Sequence, residues 1–297
     1  MTGPQVAIAL LVLGNLFATL SDVAVKLLNG DISPFQYMFL RQLSSLVMLT
    51  PFWLAQSREL RSLSQPKVTL TRSHLILVGS GCMMVSITSL PLATANAIFY
   101  AAPLLMLPLS VWLLKERPSL GKIIATTIGF IGVLIVLRPS QFHWAALFAL
   151  GTAATLALFN ILVRKLPAQQ SVVTTLWWTT LFSLPVSAML SVFFWQPLQL
   201  EHVIYVAFSA LCILVYNGLA VTAYRKAPAG QIALSEYSGL FFVTVIGVVW
   251  FSEIPDTFTW LGILLIILPL LPLKHLKFRK KHDVKEAYRA NTPSHEE

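Results

Sequence analysis

The sequence contains few charged residues. Only 11% of its 297 residues are Asp, Glu, Lys or Arg, while 56% are hydrophobic, whereas a soluble globular domain carries about 25% charged residues. Uncharged or nearly uncharged stretches of about 18 to 23 residues recur along the chain, which is the length that an α-helix needs to cross a bilayer core of about 30 Å. The composition therefore excludes a soluble globular protein and predicts an all-α integral membrane protein.

Residues that enzymes and metal sites commonly use are also scarce. The two cysteines, Cys82 and Cys212, lie singly in apolar segments, so we interpret them as packing residues and not as a redox or metal site. The six histidines lie at the ends of apolar runs or in the C-terminal tail, and no HExxH or GxGD motif is present. The sequence thus predicts no catalytic residues, no metal site and no cofactor, and it disfavours a membrane enzyme.

A removable signal peptide is not expected at the N-terminus. No basic region precedes the first apolar run, and this run continues through Asp22 to about Leu28 without an A-x-A cleavage signal. A run of this length and character predicts a retained first transmembrane helix.

Ten transmembrane helices are predicted from the apolar runs and the residues that interrupt them. They cover residues 5–28, 33–54, 74–91, 94–114, 119–137, 143–163, 171–195, 202–224, 229–251 and 257–273. The remaining residues, 274–297, begin basic and end polar. We expect this tail to be disordered, with its basic part on anionic lipid headgroups.

The distribution of basic residues predicts the orientation, because cytoplasmic loops retain Lys and Arg during membrane insertion. One side of the predicted membrane has 11 Lys and Arg residues in its connections and seven more in the tail, whereas the other side has only Arg138. This asymmetry predicts a multi-pass protein of a bacterial-type inner (plasma) membrane with both termini in the cytoplasm. The net charge of +9 is therefore assigned to contacts with membrane lipids, and nucleic acid is not expected as a partner.

Identical residues recur at an offset of 137 to 138 positions, which indicates an internal repeat. Five predicted helices in each repeat are an odd number, so the second copy enters the membrane from the opposite side. The prediction is two inverted five-helix repeats, 1–138 and 139–273, related by a pseudo-two-fold axis in the membrane plane. The matched pairs are Gly14 and Gly151, Ser33 and Ser171, Ser45 and Ser183, Pro91 and Pro228, Tyr100 and Tyr237, Glu116 and Glu253, and Pro118 and Pro255.

Two segments carry a resemblance to a known family. The segment PLATANAIFYAAPLLMLPLSVWLLKERPSLGKIIATTIGFIGVLIVLRP resembles the end of an EamA repeat of the drug/metabolite transporter superfamily, and residues 228–273 resemble a degenerate second copy. The segment LSDVAVKLLNGDISPFQYMFLRQLSSLV is similar to members with an Asp and a Lys in the first helix and an Arg in the second. The resemblance implies ten helices, cytoplasmic termini and transport of amino acids, nucleotide-like metabolites, vitamins or drugs.

Ionisable residues inside the predicted helices are the strongest candidates for a functional site, because such groups normally face a partner or a water-filled cavity. Asp22 and Lys26 are four residues apart on one helical face, and Arg41 is expected at a comparable depth. We interpret these three residues as substrate or coupling candidates. A structural ion cluster, or a Lys26 side chain that reaches the membrane surface, is the alternative.

Glu236 is the fourth ionisable residue within a predicted helix. It lies in a polar segment that also contains Gln231 and Tyr237. A desolvated carboxylate is suited to proton coupling, and a static strut paired with Arg41 or Lys26 is the alternative.

Polar uncharged residues complete the set of candidates. Asn96 and Tyr100 share a face of the fourth predicted helix, which Pro103 and Pro108 should kink. Tyr100 and its repeat mate Tyr237 could stack on a flat or cationic substrate, or could simply pack. Weaker candidates are Asn15, Asn160, Asn217 and Gln231.

These features favour a secondary active transporter that moves a small organic metabolite by alternating access. The mixed charges favour an amino-acid-like, zwitterionic or amphipathic substrate, or a drug, with proton coupling and exchange both open. A lipid or lipid-carrier flippase is the alternative. A channel is disfavoured because two divergent halves do not form a symmetric ring. The expected partners are the small-molecule substrate and membrane lipids, and a homodimer stays open.

Overall fold

Eleven helices form the part of the chain that the computed structural model describes, which is residues 3–115, 120–137, 143–163, 165–167, 170–226, 235 and 238–267. The helices are α1 (Gly3–Leu27), α2 (Pro34–Leu54), α3 (Pro66–Ser89), α4 (Leu92–Phe99), α5 (Ala101–Leu114), α6 (Leu120–Leu137), α7 (Ala145–Val163), α8 (Val172–Phe193), α9 (Leu200–Lys226), α10 (Ser238–Phe251) and α11 (Thr257–Ile267). No strand occurs among these residues. The predicted all-α architecture is confirmed for them.

Six stretches of the described chain are long and apolar enough to cross a membrane, namely Gln5–Leu27, Pro66–Ser89, Leu92–Leu113, Ala145–Leu162, Val172–Phe193 and Leu200–Ala220. Three shorter apolar helices are Ile123–Leu137, Ser238–Phe251 and Thr257–Ile267. Helix α2 belongs to neither group and contains the polar residues Gln36, Arg41 and Gln42. The number of ten transmembrane helices therefore stays a prediction.

Serines mark the beginnings of α2 and α8. Ser33 has extended backbone dihedrals, and its hydroxyl accepts a hydrogen bond from the N–H of Gln36 at 3.1 Å, while Pro34 occupies the first helical position. This is a favourable N-cap because the serine satisfies an otherwise unpaired helix N–H group. Ser171 precedes α8 with nearly the same dihedrals. The backbone therefore enters the two helices of this matched pair in the same conformation, although the Ser171 side chain makes no capping hydrogen bond.

Helix α3 begins earlier than the sequence predicts. The predicted range 74–91 left Lys67 and Arg72 in a loop, but the helix begins at Pro66. Arg72 is only 3% exposed, its guanidinium lies 4.0 Å from the centroid of the Phe159 ring, and its Nε donates to the Phe159 carbonyl. Stacking on an aromatic ring lets an arginine lie inside a helix bundle. The prediction began this helix after the last basic residue, and it was wrong because a buried Arg72 lies within the helix.

The predicted helix 94–114 is divided into α4 and α5 at Tyr100. Tyr100 ends α4, and its N–H still bonds to the Asn96 carbonyl at 3.1 Å. Proline at position 103 has no N–H to offer to the carbonyl of Phe99. The break therefore lies one turn before the proline that was expected to kink the helix.

The most extensive helix–helix contacts join helices that are far apart in the sequence. Helix α1 packs mainly on α9, α2 on α8, α3 on α7 and α6 on α11. Small residues permit the close approach. A Cβ at Gly14 in α1 would lie 3.6 Å from the Cβ of Leu219, and one at Gly151 in α7 would lie 3.2 Å from Sγ of Cys82.

These two contacts are equivalent under the sequence repeat. Adding 137 to 14 gives 151, and subtracting 137 from 219 gives 82. The repeat mates of the residues in contact at the α1–α9 crossing are therefore themselves in contact at the α7–α3 crossing. Two halves related by a two-fold axis would show such an exchange, and the inverted repeat itself stays a prediction.

Parts of three predicted helices lie outside the described residues. These are residue 119, residues 229–237 apart from residue 235, and residues 268–273. Arg138 and the tail 274–297 also lie outside them.

Candidate functional site

Four polar residues form a line along α1. Asn15, Thr19, Asp22 and Lys26 follow one another at intervals of four, three and four residues, which places them on one helical face. Asn15, Thr19 and Asp22 are 4%, 3% and 9% exposed. We call these four residues the α1 polar stripe. Polar groups buried in this way are normally hydrogen-bonded.

Asp22, which belongs to the α1 polar stripe, lies near Arg41 of α2. The Asp22 carboxylate lies near the Asn96 side chain of α4 and is attracted by the Arg41 guanidinium of α2. Arg41 is 9% exposed, and no carboxylate of the described residues lies within 4.0 Å of its nitrogens. We call Asp22, Asn96 and Arg41 the Asp22–Arg41 centre. Its two formal charges have opposite sign and are not joined directly.

Tyr37 borders this centre, one helical turn before Arg41. The centroid of its ring lies 5.9 Å from Cζ of Arg41, and the residue is fully buried. Arg41 and Ser209 lie near its hydroxyl, but this hydroxyl makes no hydrogen bond within the described residues. Tyr37 was absent from the sequence candidates. Its spacing of four residues from Arg41 was the signal that could have identified it.

Hydroxyl groups connect the centre to the second half of the chain. The Ser21 and Ser209 hydroxyls are 2.7 Å apart, which joins α1 to α9, and both residues are fully buried. Sequence reasoning also missed this pair. Single serines in apolar segments carry no signal of their own.

Lys26 makes its contacts at a different place. Its Nζ lies 2.6 Å from Oε1 of Glu253 and donates to the carbonyls of Ile87 and Leu90 at 3.3 and 2.8 Å. Oε2 of Glu253 accepts the N–H of Leu92 at 2.7 Å, at the beginning of α4. One ion pair therefore fixes α1, the α3–α4 junction and the α10–α11 connection together. The sequence expectation had grouped Lys26 with Asp22 and Arg41.

The other end of the stripe contacts the beginning of α10. Asn15 donates to the Ser235 carbonyl at 2.8 Å and to the Ser238 hydroxyl at 3.0 Å. A Cβ at Gly239 would lie 2.6 Å from the Tyr100 hydroxyl and 3.5 Å from Cβ of Asn15. Asn15 and Tyr100, both named from the sequence, therefore both lie next to Gly239.

The remaining candidates fall into two groups. Asn160 in α7 and Asn217 in α9 are partly exposed. Glu236, Tyr237 and Gln231 lie outside the described residues. Within the described chain, no group of three or more His, Cys, Asp and Glu side chains could hold a metal ion.

The arrangement can bind a ligand that carries both charges. Arg41 offers several N–H donors and a positive charge, and Asp22 with Asn96 offers a carboxylate and an amide. These groups lie among apolar helices, where electrostatic attraction is stronger than in water. The described residues therefore provide a buried centre of polar and charged groups.

Curated proteins similar to this chain are named as transporters. The chain is 25% identical to an S-adenosylmethionine uptake transporter of Rickettsia prowazekii (strain Madrid E), over 84% of this chain and 86% of that protein. It is 26% identical to a riboflavin transporter of Vibrio cholerae serotype O1, over 60% of this chain and 61% of that protein. An uncharacterized transporter of Helicobacter pylori (strain 26695) is 24% identical over 91% and 97% of the two chains.

A solved crystal structure has the same fold. It aligns with a TM-score of 0.57 and covers 91% of this chain and 98% of its own, at 19% sequence identity. The model of the EamA-like transporter family matches the chain twice, at residues 5–138 and 143–271. With its apolar helices, its two family repeats and its transporter relatives, this multi-pass membrane protein belongs to the EamA-like transporter family.

Proposed function

We propose that this protein is a secondary carrier for a small organic metabolite with an amino-acid-like, zwitterionic head group. The observation that carries the proposal is the Asp22–Arg41 centre, in which two opposite charges are buried together without a direct ion pair. A substrate carboxylate would bind Arg41, and a substrate ammonium would bind Asp22 and Asn96. The relatives named for S-adenosylmethionine support this substrate class, because that compound carries both an amino group and a carboxylate.

We further propose that transport proceeds by alternating access between two inverted halves, 1–138 and 139–273. The two family matches support these boundaries. The equivalence of the Gly14–Leu219 and Gly151–Cys82 contacts supports the two-fold relation. An exchange of conformation between such halves turns a carrier that is open to one side into one that is open to the other.

The membrane position is part of the same proposal. The protein would lie in the inner (plasma) membrane with both termini in the cytoplasm, because positively charged connections stay on that side. Proton coupling through Glu236 and substrate exchange are the two coupling modes to be distinguished. Uptake measured with and without a pH gradient separates them.

Uptake into proteoliposomes tests the proposed function. Asp22→Asn and Arg41→Gln should each lower the uptake of zwitterionic amino acids or S-adenosylmethionine by about 10- to 100-fold, since each removes a hydrogen bond to a charged group. The exposed residues Glu59 and Lys67 provide matched controls, and Glu59→Gln and Lys67→Gln should retain uptake. Lipid redistribution without solute uptake by the wild-type protein would instead identify a flippase.

A further inference from the structure

The buried hydroxyl of Tyr37 has no hydrogen-bond partner within the described residues. Tyr37 is fully buried, so bulk water does not solvate this hydroxyl. Phenylalanine has nearly the same shape and would fill the space without an unsatisfied polar atom. Unpartnered buried polar groups are rare in native proteins, and a functional role is one explanation for such a group. The Tyr37 hydroxyl therefore points to a partner that binds there.

The surroundings determine the kind of partner. The Tyr37 hydroxyl and the Arg41 guanidinium are both hydrogen-bond donors, and they lie on one face of α2 because the residues are four apart. Ser209 lies nearby and is bonded to Ser21, but no hydrogen bond joins its hydroxyl to that of Tyr37. Two unused donor groups with one positive charge fit an anionic group with two acceptor oxygens. A carboxylate has this geometry.

Asp22 distinguishes a carboxylate from a phosphate. Its negative charge lies near Arg41 and would repel a doubly charged phosphate, whereas a substrate ammonium would neutralise it. A zwitterion leaves the net charge of the centre unchanged, which matters among apolar helices where net charge is unfavourable. The charges therefore favour an α-amino carboxylate.

We propose that Tyr37 is a substrate-contacting specificity residue whose hydroxyl donates a hydrogen bond to the carboxylate that Arg41 binds. This inference rests on the proposed function and deepens it, because it assigns recognition of the carboxylate to two named donors of α2. The Tyr37 hydroxyl selects the carboxylate over an uncharged carboxamide. Asp22 and Asn96 bind the ammonium of either ligand.

Binding to purified full-length protein tests the proposal. The probes are S-adenosylmethionine and three pairs, methionine and methioninamide, leucine and leucinamide, and phenylalanine and phenylalaninamide. The Tyr37→Phe variant should bind the carboxylate member about tenfold more weakly, as expected for one hydrogen bond to a charged group, while its affinity for the carboxamide changes less. The preference for carboxylate over carboxamide should therefore fall by about tenfold.

Tyr205→Phe is the matched control. The Tyr205 hydroxyl already has a partner in the Glu201 carboxylate, so this variant should keep the wild-type preference. The melting temperature of the ligand-free protein is the second measurement. It should stay the same or rise in Tyr37→Phe, because the substitution removes an unsatisfied buried hydroxyl.

The outcomes separate the inference from the proposed function. If Tyr37→Phe melts at a lower temperature and keeps its carboxylate preference, then a buried water satisfies the hydroxyl, and the specificity role is wrong. The carrier proposal survives that result because the wild-type protein still binds the zwitterion. If the wild-type protein binds none of the probes, both proposals are wrong.

Discussion

Lys26 and Glu253 are 227 residues apart in the sequence, yet their charged atoms lie 2.6 Å apart. Both side chains also bond to the backbone. Lys26 donates to the Leu90 carbonyl, and Glu253 accepts the N–H of Leu92. The backbone hydrogen bonds therefore require a donor at position 26 and an acceptor at position 253, in addition to the attraction between the two charges.

Removal of either charge should destabilise the protein. Lys26→Gln or Glu253→Gln should each lower the free energy of unfolding by about 1–3 kcal/mol, because the partner stays partly buried without its counter-charge. The double variant should lose less than the sum of the two single losses. Thermal unfolding in detergent measures this. Asp31→Asn is the control, since Asp31 is 61% exposed and lies 3.8 Å from His202.

Exchange of the two charges should not restore stability. In Lys26→Glu/Glu253→Lys, a carboxylate would face the carbonyls of Ile87 and Leu90, and an ammonium would face the N–H of Leu92. Full recovery of the melting temperature by this variant would show that only the mutual attraction matters, contrary to the geometry described above.

A methyl group at Gly239 should displace Tyr100. Its Cβ would lie 2.6 Å from the Tyr100 hydroxyl, closer than van der Waals contact allows. Gly239→Ala should therefore lower uptake and the melting temperature, and the addition of Tyr100→Phe should restore part of the melting temperature. Gly218→Ala is the matched control because nothing lies within 4 Å of its Cβ position. An unchanged Gly239→Ala protein would contradict the packing described here.

An added methyl group should also destabilise the crossing of α6 and α11. A Cβ at Gly132 would meet the Gly262 carbonyl oxygen at 2.7 Å and the Leu265 Cβ at 2.9 Å. Since backbone atoms cannot turn aside as a side-chain end can, Gly132→Ala should destabilise the protein by about 1–3 kcal/mol. Gly121→Ala in the same helix has open space and should be neutral. Comparison of their melting temperatures is the measurement.

Cysteine labelling tests the predicted topology. In a variant whose two native cysteines are replaced by serine, Ser140→Cys should react with an impermeant reagent applied to intact cells, and Ser62→Cys should react only after permeabilisation. These positions lie in connections predicted to be outside and inside, from the distribution of basic residues. The opposite labelling pattern would reverse the orientation.

The sequence predicted the helical class and brought attention to Asp22, Arg41 and Asn96, because charges and amides are conspicuous in apolar helices. It could not assign the partner of Lys26. Helical periodicity gives the face and depth of a residue but not which distant connection lies opposite, and Glu253 was known only as a residue between two helices. The same limit applied to Arg72, because its stacking on Phe159 depends on the α3–α7 contact.

Tyr37 shows a second limit of the sequence. A tyrosine in an apolar helix is ordinary, and its interest comes from a hydroxyl that lacks a hydrogen-bond partner within the described chain. Hydrogen-bond satisfaction depends on every neighbouring atom, so no local pattern predicts it. The structure was needed to distinguish this tyrosine from a packing residue.

The pairing of α1 with α9, α2 with α8 and α3 with α7 also has a consequence for biosynthesis. The ribosome delivers the N-terminal helices to the bilayer before their main neighbours have been made. Ser21 and Lys26 must therefore wait in the membrane or at the translocon until α9 arrives with Ser209 and the α10–α11 connection arrives with Glu253. Assembly of the bundle is then committed late in translation, and a chain that stops after α6 leaves these polar groups without their final surroundings, as a substrate for membrane quality control.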